Sequence, residues 1–325
     1  MAGHRDLYID FLRGVALLLL VAAHSSAPSL ISTVRTFDVP LMVFISALCF
    51  RNPGNYGSYC LKRFRRICQP LFVFLIILFS ISAFAPVVPR QLMTPEIIAG
   101  SFMMWNWPAI PFVWIMRVFL LMALVMPLLD AAVRKLSPLM LLAALATLYI
   151  LQNAACAAID HESRDALTFF VRDYLLYLTG YSIIAAAGLM ARDGKLRIRP
   201  ALLFLCIAAI VVHLATGNGF DPQASKYPPA SLYVAYGCAC SIVLLMAKPL
   251  FAKVAGWSAW SYLSRNSMWI YLWHTIPVFV MRGFNLFETS WVARFVFILV
   301  CALALNSLWL LLRGVAPRRI AALME

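Results

Sequence analysis

The chain has 325 residues, 63% of them hydrophobic and only 12% charged, about half the charged fraction of an ordinary soluble domain. Apolar runs recur from Phe11 to Leu312 with short polar interruptions, and many approach the roughly 20 residues a helix needs to cross a bilayer; this excludes a water-soluble globular fold and leaves a single transmembrane domain over 1–325. The formal net charge of +14 does not mark a nucleic-acid binder, because Lys and Arg fall in short tracts between apolar runs and not on a soluble basic face.

In chain order, hydropathy predicts spans at about 12–30, 37–50, 67–87, 109–129, 137–155, 169–190, 200–216, 230–247, 266–283 and 291–312, an all-α polytopic helix bundle. Ten spans put both termini on one side. If that side is cytoplasmic, inner loops and helix ends hold 19 of the 27 basic residues, leaving Arg35, Arg90, Arg117, Arg164, Arg172, Lys226, Arg282 and Arg294 elsewhere. That asymmetry is the positive-inside pattern.

The first run ends in Ala23-His24-Ser25-Ser26-Ala27, which superficially resembles a signal cleavage site, but Asp10, Arg13 and His24 give it the character of a retained, working helix. The second span is short and carries Pro40 near its outer end, so a tilted or partly re-entrant helix is expected. Residues 94–107, with Pro95 and Trp105-Asn106-Trp107, read as an interfacial segment. The eight Cys lie mostly inside apolar runs and read as small apolar residues, and the five His show no metal-ligand spacing. The outer loops, about 88–108, 156–168 and 217–229, are too small for a catalytic domain. Any chemistry therefore belongs among the helices or at their mouths.

Ionisable side chains inside a span are costly and are functional suspects by default. His24 follows Arg13 by about 1100° of helical rotation, near three full turns, and by about 16 Å of rise. Asp10 lies one turn before Arg13 on nearly the same face. A neutral imidazole there can accept a proton from an attacking hydroxyl while a cation holds donor phosphates; the plainer reading is one hydrogen bond to a neighbouring helix. Ser267, Tyr271 and His274 share a helical face, and His274 either binds acceptor or assists proton movement, or is a buried histidine bonded to Tyr271 or a backbone carbonyl. His213, near an outer helix end, can simply reach water. Arg117, deep in the fourth span, needs a partner: a carboxylate, a substrate phosphate or backbone carbonyls.

Arg13 and His24, set within Asp10-Phe11-Leu12-Arg13-Gly14, resemble the first-helix signature of the acyltransferase 3 family of bacterial membrane acyltransferases. Phe37-Asp38-Val39-Pro40-Leu41-Met42-Val43-Phe44-Ile45-Ser46-Ala47 is similar to that family's second-helix motif, with Ala47 where the family has Gly. Lys62-Arg63-Phe64-Arg65-Arg66-Ile67 with Pro70 resembles its basic loop, Arg63 and Arg66 matching Arg-x-x-Arg, and Val113-Trp114 and Ile270-Tyr271-Leu272-Trp273-His274 also fit in order.

The resemblance implies a ten-helix protein of the bacterial cytoplasmic membrane that moves an acyl group, commonly acetyl, from acyl coenzyme A to a hydroxyl of an envelope or exported saccharide or lipid-linked glycan. It makes His24 the catalytic histidine and Arg13 its companion, with Asp10 able to orient Arg13. Arg63 and Arg66 become candidates for the coenzyme's phosphates; the plainer reading is positive-inside charge. His274, Arg117 and Tyr271 are candidate substrate-binding residues, and no metal is expected. The rival reading is a glycan or lipid-linked precursor transporter without covalent chemistry, although the repeated halves of many transporters are not visible. A third is a module that hands its acyl group to a partner protein.

Overall fold

The computed structural model describes residues 6–85, 87–163, 165–192 and 198–315. Arg5, Arg164, Lys195, Arg197, Arg318 and Arg319, used in the charge asymmetry above, lie outside the described residues. The chain is all-helical, 79% helix with no strand among the described residues. In order come α1 (Leu7–Ala23), α2 (Ser29–Val34), α3 (Asp38–Leu48), α4 (Tyr56–Phe84), α5 (Pro95–Phe102), α6 (Trp114–Lys135), α7 (Pro138–Ala158), α8 (Ala166–Phe170) and α9 (Leu176–Arg192). They are followed by α10 (Ile198–Ala215), α11 (Ser231–Met246), α12 (Lys248–Ala255), α13 (Ser258–Arg265), α14 (Ser267–Trp273), α15 (Thr275–Gly283) and α16 (Trp291–Val315). Among the described residues, seven helical stretches are long and apolar enough to cross a membrane, or eight if the bent pair α11–α12 counts as one.

Several boundaries differ from the hydropathy reading, each for a local reason. The first helix is Leu7–Ala23 and not 12–30, because Pro28 disfavours helical backbone at the residue before it and Ser26 takes a left-handed φ of 55°. The second apolar stretch runs from Ser29 to Leu48 and not 37–50, since a 3₁₀ turn at Arg35–Phe37 links α2 to α3. The third begins at Tyr56 and has 29 residues, about 43 Å of helix against about 30 Å of hydrocarbon. Its basic turns can therefore project beyond the apolar layer. Residues 94–107 include the helix α5, capped by the Thr94 hydroxyl with Pro95 in its first turn. A π turn at Val171–Leu175 joins α8 to α9. The eighth predicted span bends by 70° after Met246, where Pro249 has no N–H for the Leu245 carbonyl. The ninth is interrupted at His274, because Pro277 likewise offers no N–H to the Trp273 carbonyl.

One compact unit comprises residues up to Leu12, 33–56 and 121–256. In it α9 packs on α3 and α7, and α11 packs on α3 and α10. A Cβ on Gly188 would stand 2.7 Å from the Phe44 carbonyl oxygen and 2.9 Å from the Ala47 Cβ. The small residue that lets these backbones approach is thus contributed by α9, and Ala47 fits fully buried against it. The buried Gln152 amide donates to the Leu176 carbonyl at 2.9 Å and the Pro229 carbonyl at 2.8 Å. Asp38, fully buried, pairs with Arg35 at 2.8 Å and faces Lys226 at 3.9 Å. His213 bonds the Ser231 hydroxyl at 2.8 Å, so its imidazole is satisfied inside this unit. All eight cysteines are free thiols.

The second unit comprises residues 13–32, 57–120 and those from 257 onward. Here α16 packs along α14 and α15. Trp269, Trp273 and Trp309 cluster where they meet, with Trp269 and Trp309 ring centroids 4.5 Å apart. A Cβ on Gly14 would come within 2.5 Å of the Trp260 ring. The glycine that follows Arg13 therefore lets the indole of α13 lie directly on the α1 backbone.

Candidate functional site

The two intramembrane histidines meet in the second unit. His24 sits in the turn that closes α1, not within the helix: its backbone N–H donates to the Val21 carbonyl at 3.0 Å, a tightening common at helix ends. Its imidazole is half-buried. The His274 ring lies 5.1 Å away between centroids, and the Phe112 ring stands edge-on to His24 at 4.5 Å and to His274 at 5.5 Å.

His274 is 0% exposed. Its Nδ1 contacts the Tyr271 carbonyl, and a carbonyl can only accept, so Nδ1 carries a proton. In the neutral ring the bare lone pair is then on Nε2, which is buried and has no hydrogen-bond partner. The Tyr271 hydroxyl donates to the Phe112 carbonyl at 2.5 Å, with both residues 4% exposed. This bond ties the segment before α6 to α14 and fixes the ring beside both histidines. The backbone carbonyl proposed as one partner for His274 is thus present, while its second nitrogen remains available.

The basic side chains gather at the other end of this part of α1. Arg13 and Arg63 are half-buried and Arg66 is exposed, and Arg66 lies within electrostatic range of both Arg63 and Arg13. Arg63 packs over the Tyr59 ring, 5.2 Å to its centroid, a cation–π contact one helical turn back along α4. Pro70 supplies no N–H to the Arg66 carbonyl, which loosens the helix just after the basic turns. Three like charges held together repel one another unless an anion joins them, and a phosphate is the natural counterpart of guanidinium groups. From Arg13 to His24 the rise of α1 is about 16 Å.

Asp10, one turn before Arg13, is 2% exposed and falls in the first unit. Arg117 is 2% exposed, and its Nη2 donates to the Asn106 amide oxygen at 3.2 Å. Asn106 and Phe112 were not singled out by the sequence. The Trp105-Asn106-Trp107 cluster drew attention only as an interfacial feature, and Phe112 carried no distinguishing mark, since its importance comes from where Tyr271 holds it. Among the described residues no group of three or more His, Cys, Asp or Glu is placed to hold a metal ion.

The second unit thus holds two imidazoles 5.1 Å apart, an aromatic ring edge-on to both, and a cluster of three guanidinium groups. The profile of the acyltransferase domain family matches residues 6–311, nearly the whole chain. No curated protein and no solved structure matches it.

Proposed function

This chain belongs to the acyltransferase 3 family of membrane acyltransferases, and on that premise we propose that it is an acyl-coenzyme-A-dependent O-acyltransferase. The acyl group is acetyl, and the acceptor is a hydroxyl of an envelope or exported saccharide or its lipid-linked precursor. The protein resides in the bacterial cytoplasmic membrane with both termini inside. On this reading the seven apolar stretches, the bent pair α11–α12 taken as one span, α1 and the interrupted pair α14–α15 are the ten crossings.

The observation that carries this reading is the arrangement of one unit around α1, with the cluster of Arg13, Arg63 and Arg66 at one end and His24 about 16 Å along. The cations hold the phosphates of the coenzyme by charge-assisted hydrogen bonds, leaving its arm free to carry the thioester inward. His24 accepts the proton of the acceptor hydroxyl as the oxygen attacks the thioester carbonyl. The carbon–sulfur bond breaks, and the departing thiolate takes that proton from the imidazolium. His274, Tyr271 and Arg117 bind substrate, Tyr271 by holding Phe112.

The test uses purified protein in vesicles supplied with acetyl-labelled coenzyme A and isolated envelope glycan. The expected result is label in glycan as an alkali-labile ester, absent from protein-free vesicles. Glycan that crosses the vesicle membrane and stays unlabelled would replace the enzyme by a transporter.

A further inference from the structure

His274 Nε2 is an acceptor with no donor. It is buried and no group of the protein donates to it, while Nδ1 is engaged by the Tyr271 carbonyl. The nearest ring of like chemistry, His24, is 5.1 Å away between centroids, yet no hydrogen bond joins Nε2 to it. A buried acceptor left unmet is unfavourable, and in a functional site such an atom awaits a group on the ligand. The ligand that places one O–H at His24 and a second at His274 carries two hydroxyls side by side. Phe112, edge-on to both rings, adds an apolar wall suited to the C–H surface between them.

We propose that the acceptor is a vicinal diol read by both histidines: His24 takes the proton of the attacking hydroxyl, and His274 Nε2 accepts a hydrogen bond from the hydroxyl on the adjacent carbon. This rests on the reading of His24 as the base of an O-acyltransferase. During the reaction the O–H bond of the attacking hydroxyl breaks, the ester C–O bond forms as the thioester C–S bond breaks, and the thiol leaves with the proton from His24. His274 neither gains nor loses a proton. It positions the acceptor and chooses which hydroxyl reaches His24, and it rejects alcohols that lack the neighbour, because they would leave Nε2 buried and unpaired.

The experiment measures acetyl transfer to methyl hexopyranosides, intact and singly deoxygenated at each position, by wild type, His274→Leu and His274→Gln in vesicles. In wild type, removing the hydroxyl next to the acylated one is expected to lower kcat/KM by roughly 10- to 100-fold. In His274→Leu the intact and deoxy sugars converge to within about 2-fold, and His274→Gln, whose amide oxygen reaches a similar position, restores part of the difference. The ratio is taken within each variant, so folding yield cancels. A wild type indifferent to the neighbouring hydroxyl overturns the proposal while leaving the acyltransferase intact. So does a His274→Leu that keeps the wild-type ratio and instead raises KM for acetyl coenzyme A, which would put Nε2 on an amide of the donor. A wild type that acetylates none of the sugars removes the saccharide acceptor itself, and this proposal with it.

Discussion

Replacing Tyr271 by Phe isolates the bond that fixes Phe112. The substitution deletes one hydroxyl; it keeps the aromatic ring, which lies 5.0 Å from His274, and the backbone carbonyl that holds His274 Nδ1. The hydroxyl donates at 2.5 Å to a carbonyl whose residue is 4% exposed, so the carbonyl loses its donor in a place where water cannot substitute. That costs about 1–3 kcal/mol, to be read as a lower unfolding free energy in reversible SDS titration of detergent-solubilised protein. The functional effect comes through geometry, because the released segment carries the ring that borders both imidazoles at 4.5 and 5.5 Å. A shift on the order of 1 Å at a reacting centre costs about 100-fold, and the loss should appear in kcat. KM for the donor should stay constant, because the cations sit on α1 and α4. A Tyr271→Phe protein within about 0.5 kcal/mol of wild type and with unchanged kcat would refute the idea that this bond organises the site.

Arg63→Ala and Arg66→Ala should each raise KM for acetyl coenzyme A by roughly 10- to 100-fold with kcat nearly constant, and should flatten its dependence on ionic strength. An unchanged KM in both would return these residues to a purely topological role. Asp38→Asn leaves the buried Arg35 guanidinium without its carboxylate partner and should lower stability by about 3–5 kcal/mol in the same SDS titration; a variant as stable as wild type would contradict that account of the pair. Asp165 caps α8 by accepting from the amides of Leu167 and Thr168 at 3.1 and 2.9 Å. The Ser163 hydroxyl first, and then Thr168, hold its carboxyl well below the usual carboxylate range. A depressed folded value means the cap is fully effective above the unfolded pKa of about 3.9 and weakens as pH falls through the folded value. Amide exchange at Leu167 and Thr168, corrected for intrinsic rates, should stay slow down to strongly acidic pH and be fast already at neutral pH in Asp165→Ala. Protection lost near neutral pH in wild type would show that the cap is not the carboxylate.

Hydropathy was enough to read the chain as all-helical with several apolar spans, because a chain in lipid must satisfy its backbone within each segment, but short helices such as α12 and α13 escaped it. It could not find the interruptions of the spans. The turn after Ala23, the bend after Met246 and the break at His274 depend on Pro28, Pro249 and Pro277, single residues inside or beside runs whose average hydropathy hardly registers them. The spacing of Arg13 and His24 made α1 a suspect because helical geometry is local. The approach of His24 to His274 was not legible, since it joins residues far apart in the chain, and neither was Phe112, whose position is imposed by a tyrosine from another segment. Arg35, Asp38 and Lys226 show the same limit. Each was visible as a charge, and two had been counted merely as basic residues in the topology, but their gathering is tertiary.

The central claim is that His24 is the base. It is tested most directly by single-turnover transfer from acetyl-labelled coenzyme A to glycan in vesicles, with wild type and His24→Ala compared at equal protein and with donor binding measured in parallel. Loss of transfer by about 10²- to 10⁴-fold with donor affinity retained is the predicted result. Equal transfer by both proteins would contradict the account.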